Sequence, residues 1–419
     1  MTLPSVRPTT AERWTESDGD LVEQLRDVLV TDGPVPFARY MAAVLYDREL
    51  GYYATRDDRP TRDGDYLTAP ELHPIFGATL AAQVEEVWER LDRPVEFTLR
   101  EEAAGSGSLG LAVLDHLVAA ESPSADAVRY QPIETSPGRE IAARERLIAA
   151  GHGGRLASAR DPVTAAGNPG STTGEFEPPM TGMILANELL DALPVHRVTM
   201  LGGELLELHV DWRDGWFTEV ALAPSTPDLA SALTRVGVEL VEGQVAEVGL
   251  EAATWARGLG AGLERGLVMI IDYGHPARAL YDPVLRPAGL LRTYHRHHVG
   301  DDPYRFVGRQ DLTSHVDWTT IELSAADGGL EVLGRTTQAE ALSGLGLGDR
   351  LVELQSQPGV TAEAYALARA SVMRLLDPRA MGGFGVLLLG RGIATEPPMR
   401  SLAFRLLRRP PDPSASSGG

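Results

Sequence analysis

"VEFTLREEAAGSGSLGLAVLDHLVAA" (residues 95–120) decides the fold. "VEFTLRE" reads as a strand, the glycines that follow as a tight turn, and the remainder as a helix with apolar residues at helical spacing. A second strand, "VRYQPIE" (128–134), comes next. Strand, turn, helix and strand make a parallel crossover unit. The turn holds Gly105, Gly107 and Gly110, a literal G-x-G-x-x-G. Such spacing brings backbone close to a ligand and turns helix N–H groups toward it. In a chain with 44 glycines the triplet alone says little, and its strand–helix context adds the weight. The second strand ends in Glu134, a carboxylate able to accept both ribose hydroxyls of an adenosine-containing cofactor. NAD and S-adenosylmethionine both satisfy this arrangement, so the turn does not choose between them.

Outward from this unit the alternation continues. "GMILA" (182–186) and "GLVMIID" (266–272) are short apolar runs ending at polar residues, as buried parallel strands do. "GLEVLGRTTQAEALSGLG" (329–346) predicts strand, turn and helix, and "FGVLLLGRG" (384–392) a closing strand. Pro132 is awkward, because it removes a ladder donor from a presumed interior strand. The expected fold is α/β: a doubly wound, Rossmann-like sheet that binds its ligand at the carboxyl ends of the strands. Residues 1–18 and 396–419 read as disordered, and 19–92 as a mainly helical extension. In that extension "HPIFGATLAAQVEEVWERL" (73–91) places Ile75, Phe76, Leu80, Val84, Val87, Trp88 and Leu91 on one face. The sheet then occupies 93–196 and 263–395. Between them, 197–262 reads as an inserted substrate region, hairpins over 197–222 followed by a helical 227–260. Residues 154–180 read as a long Gly/Pro/Ser/Thr-rich loop.

Composition narrows the classes. The 419 residues contain no cysteine, which excludes disulfides, thiol nucleophiles and Cys-ligated metals. Every one of the 38 basic residues is arginine, against 59 acids, for a net charge of −21. That balance argues against tracking a nucleic-acid backbone and suits a cationic partner. No apolar run reaches the roughly 18–20 residues of a membrane helix, and the N-terminus lacks an apolar signal region. A cytoplasmic location is expected.

"MILANELLDALPVH" (183–196) carries one of the two asparagines of the chain, Asn187, beside Glu188 and Asp191. If a helical turn begins there, the two acids, three apart, share a face and can grip a planar guanidinium. The alternative is structural: Asn187 caps a helix whose positive end favours the acids.

Six segments then occur in order: "GPVPFARYMAAVLYDRELGYY" (33–53), "GDYLTAPELHPIFG" (64–77), "YQPIETSP" (130–137), "ILANELLDALPVH" (184–196), "IIDYGH" (270–275) and "QDLTSHVDW" (310–318). Together they resemble the S-adenosylmethionine-dependent methyltransferase family that includes the mitochondrial complex I assembly-factor methyltransferase and its bacterial relatives. The resemblance implies a class I methyltransferase sheet with an N-terminal helical extension, S-adenosyl-L-methionine as cofactor, and a protein arginine as acceptor. Carried over, the cofactor loop runs from Glu101 to Leu109 and includes Ala103, Gly105 and Gly107. Glu134, Thr135 and Ser136 follow the second strand, Asp65, Thr68, Pro70 and Glu71 lie in a loop that caps the cofactor, and Asn187 borders it. The family loop reads roughly E-L-G-P-G-R-G-T-L, so Ala103 stands where the family has glycine. At a left-handed position this costs on the order of 1 kcal/mol, which would lower cofactor affinity unless the loop bends differently.

Asn187, Glu188 and Asp191 are the candidate catalytic residues, with His275 a candidate base or a hydrogen-bonded structural histidine. The histidines at 295, 297, 298 and 315 show no metal-ligand spacing, and no metal is expected. His315 and Asp317 are expected to shape the cleft. The acceptor is a protein side chain or a small molecule, and a homodimer is compatible with the chain. Two other readings compete: a non-catalytic interaction or assembly protein that keeps the fold, suggested by Ala103 and Ala104, and an NAD-dependent oxidoreductase.

Overall fold

The structure, a computed structural model, describes residues 8–54, 68–158 and 179–404. Six strands form the central sheet: β1 (Phe97–Glu102), β2 (Val128–Ile133), β3 (Met180–Asn187), β4 (Leu263–Asp272), β5 (Glu331–Thr337) and β6 (Gly385–Arg391). Their order is β5-β6-β4-β3-β1-β2, so β1 lies inside the sheet and β2 on its edge. β2, β1, β3 and β4 run parallel, and β6 is antiparallel to both of its neighbours. The chain direction reverses outward from β1, to β2 on one side and β3 on the other. The cleft beyond those strand ends is therefore where a doubly wound sheet takes its ligand.

Strand residues alternate between two cores because successive side chains point to opposite faces. Leu99, Met183, Leu185, Met269 and Leu388 pack under the helices Ile75–Arg90 and Ser108–Ala119. Ile184, Val268, Ile270 and Leu387 meet Trp255 and Leu259 of helix Leu250–Gly262, and Trp318 and Ile321 of helix Trp318–Asp327. Both faces are covered, which is why "GMILA", "GLVMIID" and "GVLLL" of β3, β4 and β6 read as unbroken apolar runs.

Pro132 is reconciled by its place. The strand carrying it is not interior but an edge, and the Tyr130 carbonyl accepts from Ala157 N at 2.8 Å on the outer side. Two residues on, Pro132 shares that orientation, so its missing N–H points away from β1 and the ladder loses nothing.

The inserted region is a sheet, joined by part of the N-terminal extension. The strands Val35–Pro36, Glu204–Arg213, His196–Leu201 and Val245–Val248 lie side by side in that order, and Trp216–Leu222 pairs with Glu204–Arg213. The "GG" and "DG" turns have positive φ at both central residues, 62° and 78° at Gly202–Gly203 and 52° and 79° at Asp214–Gly215. That geometry matches the twist of a two-residue hairpin. Phe37, Tyr40, Trp216, Phe217 and Tyr304 form one aromatic core shared by extension and insertion.

Several boundaries differ from the sequence reading. Residues 1–18 are not wholly disordered: Thr10–Glu16 is a helix with a Thr9/Glu12 capping box, its Trp14 ring set against Trp212 and Trp216, and Glu16 pairs with Arg305 at 2.7 Å. Residues 396–404 are ordered too, since Met399 and Ser401 are buried and the Ser401 hydroxyl donates to Gln83 Oε1 at 2.6 Å. The stretch 227–260 is not continuously helical, because Val245–Val248 pairs with His196–Leu201. Helix Leu250–Gly262 packs on the central sheet, so the insertion ends near 249 rather than 262. Most of the 154–180 loop, and Asp65, lie outside the described residues.

Candidate active site

The glycine turn leaves the end of β1 by three left-handed residues: Ala103 (φ 54°), Gly105 (φ 55°) and Gly107 (φ 71°). Alternating left-handed backbone makes a concave turn lined by N–H groups, suited to polar ligand atoms. A Cβ on Gly107 would press on Leu147 at 3.0 Å and Ala143 at 3.2 Å, so close helix packing as well as φ selects glycine there. Gly110 serves packing: a Cβ would stand 2.1 Å from the Tyr130 ring. Glu134 reaches back from the end of β2, and its Oε1 accepts from Gly105 N.

Glu101 lies beneath the turn, not in it. It is buried, and its Oε2 accepts from Tyr130 Oη at 2.7 Å and Gly110 N at 3.1 Å. Burial pushes its pKa up to about 8. Glu101 thus supports the loop from below. Thr135 is exposed, and Ser136 precedes the helix Pro137–Ala149 without a side-chain cap.

Asn187 closes β3, and no helix begins at it. Glu188 turns the chain with φ 52°, and only a short 3-10 turn, Leu190–Ala192, follows. The capping alternative fails on this geometry. Asn187 instead donates through Nδ2 to Glu188 Oε1 at 3.1 Å, and its Oδ1 is buried without a hydrogen-bond partner among the described residues. Glu188 Oε1 also accepts from Ala69 N at 3.3 Å, which brings the segment Thr68, Pro70 and Glu71 to the same strand ends. Asp191 is 6% exposed. Its Oδ2 accepts from the Tyr273 hydroxyl, and its Oδ1 has no hydrogen-bond partner among the described residues. The two acids are pushed apart in proton affinity. Burial and then the neighbouring Asp191 raise Glu188 to about 8. Burial raises Asp191 to about 6, with the Tyr273 hydrogen bond opposing the rise. Glu188 thus holds its proton more tightly than Asp191, the separation expected of groups with different tasks, and Asp272 is raised well above the usual carboxylate range by burial and the Asp191 charge.

The sequence reading missed how Asp272, at the end of β4, fixes this loop. Its Oδ2 accepts from Leu190 N at 2.8 Å and Asp191 N at 3.3 Å, while its Oδ1 accepts from Tyr273 N at 2.8 Å. Its place at the end of "GLVMIID" is the signal that marks it. Asp311 was missed as well: it is fully buried and accepts from the Tyr53 hydroxyl at 2.9 Å.

His275 does not serve as a free base. Its Nε2 accepts from Arg286 Nη2 at 2.9 Å, and burial together with the Arg286 charge lowers its pKa. Its ring stacks on His315 at 5.3 Å, and His315 meets Tyr273 edge-on at 5.1 Å, so His275 stands behind two other rings from Asp191. His315 is lowered to about 4, first by burial. Asp317 caps helix Trp318–Asp327 through Thr319 and Thr320 N, a structural task. Of the other histidines, His295 stacks on Phe306 at 4.0 Å and His298 pairs with the Arg296 carbonyl.

Residues 79–336 match the family model described as "Putative S-adenosyl-L-methionine-dependent methyltransferase". The chain belongs to this family. It is an S-adenosylmethionine-dependent methyltransferase. It is 27% identical over 402 residues to "Protein arginine methyltransferase NDUFAF7 homolog, mitochondrial" of Drosophila melanogaster, covering 91% of this chain and 87% of that protein. The Danio rerio relative, named "Protein arginine methyltransferase NDUFAF7, mitochondrial", is 26% identical, with 86% and 84% covered. A crystal structure from Burkholderia thailandensis, described as a "likely methyl transferase" bound to S-adenosyl-homocysteine, superposes with a TM-score of 0.79 at 29% identity. It covers 96% of this chain and 98% of that one.

The methyltransferase's residues fit an adenosyl sulfonium cofactor. The left-handed turn gives a backbone surface without bulky side chains at Gly105 and Gly107, Glu134 supplies an acceptor at its rim, and Asn187 Oδ1 is a buried acceptor without a partner among the described residues.

Proposed function

We propose that this methyltransferase methylates a guanidino nitrogen of a protein arginine. The observation that carries the reading is a pair of acids at the end of β3, the half-buried Glu188 and the buried Asp191, with one Asp191 oxygen unpartnered among the described residues. Relatives spanning most of the chain are named protein arginine methyltransferases, which supports the same acceptor.

In this reading the turn 103–107, Glu134, Thr135, Ser136 and the segment Thr68–Glu71 hold the cofactor, with Asn187 at its border and Glu101 bracing the turn. The bound cofactor supplies an electrophilic methyl carbon. Glu188 and Asp191 orient the acceptor's planar cation by charge-assisted hydrogen bonds. Displacement is in line, so holding the nitrogen at the methyl carbon is the main task, and positioning of this kind can supply several kcal/mol. An approaching guanidinium favours the ionised form of Glu188, reversing the proton affinity that burial and Asp191 impose. A cytoplasmic location remains part of the proposal, checked by fractionating the host cell.

The test is label transfer. Purified protein, labelled S-adenosylmethionine and host lysate should yield labelled protein, and acid hydrolysis should release the label as methylarginine. No transfer while S-adenosylhomocysteine still binds would remove the catalytic reading, and label on another residue would remove arginine.

A further inference from the structure

The two oxygens of Asp191 have different surroundings. Oδ2 accepts from the Tyr273 hydroxyl, whereas Oδ1 is buried without a hydrogen-bond partner among the described residues. The backbone of the residue is held at both ends: its N–H reaches Asp272 Oδ2 at 3.3 Å, and its carbonyl accepts from Ser314 N at 2.8 Å. The Tyr273 ring is itself fixed, edge-on to His315 at 5.1 Å and tilted against Phe384 at 5.3 Å. A buried carboxylate oxygen without a donor is costly, and such a group in a native fold calls for an explanation.

We infer that Tyr273 is a positioning residue which turns Asp191 so that Oδ1 alone faces the methyl acceptor and takes its proton. The inference rests on the proposed arginine reading. In the step, the lone pair of the acceptor nitrogen forms the new bond to the methyl carbon. The carbon–sulfur bond breaks with its electron pair going to sulfur. The N–H proton lost by the nitrogen goes to Asp191 Oδ1, leaving a neutral carboxylic acid. Tyr273 neither gains nor loses a proton: burial holds its hydroxyl well above the ordinary phenol range, so it stays a donor. By donating to Oδ2 it favours the ionised form of Asp191, the form that accepts the proton, more than the backbone amides of Ala192 and Asp191 do.

The groups acting on Asp191 are known from each packed element. Glu188 lies on the same loop, with Glu71 beyond it; Asp272 and Tyr273 end β4. Tyr294, from strand Arg292–His295, and Asp311, from strand Asp311–Thr313, face the same cluster. His315 stands behind the Tyr273 ring and is neutral above about 4. Glu188, raised to about 8, and Asp272, raised well above the usual carboxylate range by burial and the Asp191 charge, also titrate nearby, so Glu188→Gln and Asp272→Asn serve as controls.

The test replaces Tyr273 by Phe, which keeps the ring and removes the hydroxyl. Carboxyl ¹³C titration of Asp191, assigned with Asp191→Asn and repeated in Glu188→Gln and Asp272→Asn, needs no acceptor. The Asp191 midpoint is expected to rise in Tyr273→Phe by about one to two pH units, the worth of a hydrogen bond to a charged group. The acidic limb of label transfer to lysate protein should move by the same amount, with turnover recovered at high pH and S-adenosylhomocysteine affinity unchanged. Should the Phe variant misfold, 3-fluorotyrosine placed at 273 supplies a stronger donor and should move the midpoint downward. An unmoved Asp191 midpoint, or turnover reduced equally at every pH, overturns the inference. Label absent from arginine with the titration shift intact would strike the acceptor assignment while leaving the Tyr273–Asp191 pairing in place.

Discussion

At the scale of single residues, the site combines backbone strain stored in the fold with buried polar atoms that have no partner among the described residues. Ala103 already sits at φ 54° in the ligand-free chain. Its strain is therefore stored in the fold and is not incurred on binding, which revises the expectation of reduced affinity. Ala103→Gly should raise stability by about 0.5–1 kcal/mol, read as a higher melting temperature, and leave S-adenosylhomocysteine affinity nearly unchanged. A calorimetric gain in affinity without a change in melting would contradict this. Glu188→Gln and Asp191→Asn should lower turnover by about 100-fold or more, the scale of a lost acid–base or orienting group, with cofactor affinity held within about twofold. Equal loss of both functions would remove the assigned division of labour. Gly110→Ala would drive a methyl into the Tyr130 ring, whose atoms would lie 2.1–2.6 Å away. Overpacking of that kind costs about 1–3 kcal/mol, and the melting temperature should fall accordingly.

At the scale of elements, what the sequence made legible follows from periodicity. The strands at 180–187, 263–272 and 385–391 were readable as apolar runs because the sheet is covered on both faces, and those at 97–102 and 128–133 from their places on either side of the glycine turn and its helix. The glycine turn was readable because left-handed backbone selects glycine. Three features were hidden. Val245–Val248 is a four-residue strand whose partner lies some 50 residues earlier in the chain, and no local pattern announces such pairing. Helix Thr10–Glu16 is polar except for Trp14, and its order comes from tryptophans more than 190 residues away. The commitment of His275 to Arg286 depends on a side chain eleven residues on, across a loop. The chemistry of "ILANELLDALPVH" was partly legible: the acids come together, but through a left-handed Glu188 and the Asp272 carboxylate in place of a helical turn. Trp14→Ala therefore tests an element and not only a contact. It should lower the melting temperature by the equivalent of about 1–3 kcal/mol through lost edge-to-face contacts and burial, without changing cofactor affinity. A loss of cofactor binding at unchanged melting would show that the helix serves the site directly.

At the scale of the whole molecule, buried acids tie stability to pH. Glu101 and Glu188 rise to about 8 and Asp191 to about 6 from ordinary values near 4. These acids thus bind more protons in the native chain than in the unfolded chain between roughly pH 4 and 8, while the lowered histidines His73, His116, His275 and His315 oppose them below about pH 6.5. The acids' contribution to the slope of unfolding free energy with pH is negative in that window, so stability from these groups is present at low pH and is lost as pH rises toward 8. Melting scans on the ligand-free protein should show a fall from about pH 7 to pH 8, above the histidine range, and Glu188→Gln should flatten it. A rise over the same range would contradict the protonation states assigned here. The joined architecture also matters at this scale. Part of the N-terminal extension pairs with the insertion in one sheet and shares its aromatic core, and residues 68–71 reach Glu188 beside the cofactor turn. Extension and insertion thus bracket the strand ends where the sheet's switch point lies.

The most direct test of the central claim is a crystal structure of the protein with S-adenosylhomocysteine. The account predicts the ribose at Glu134, the amino-acid portion along the turn 103–107, and the sulfur beside Asn187 with Glu188 and Asp191 facing the space where a methyl group would stand. A ligand bound elsewhere, or bound at the turn with both acids directed away from its sulfur, would contradict it.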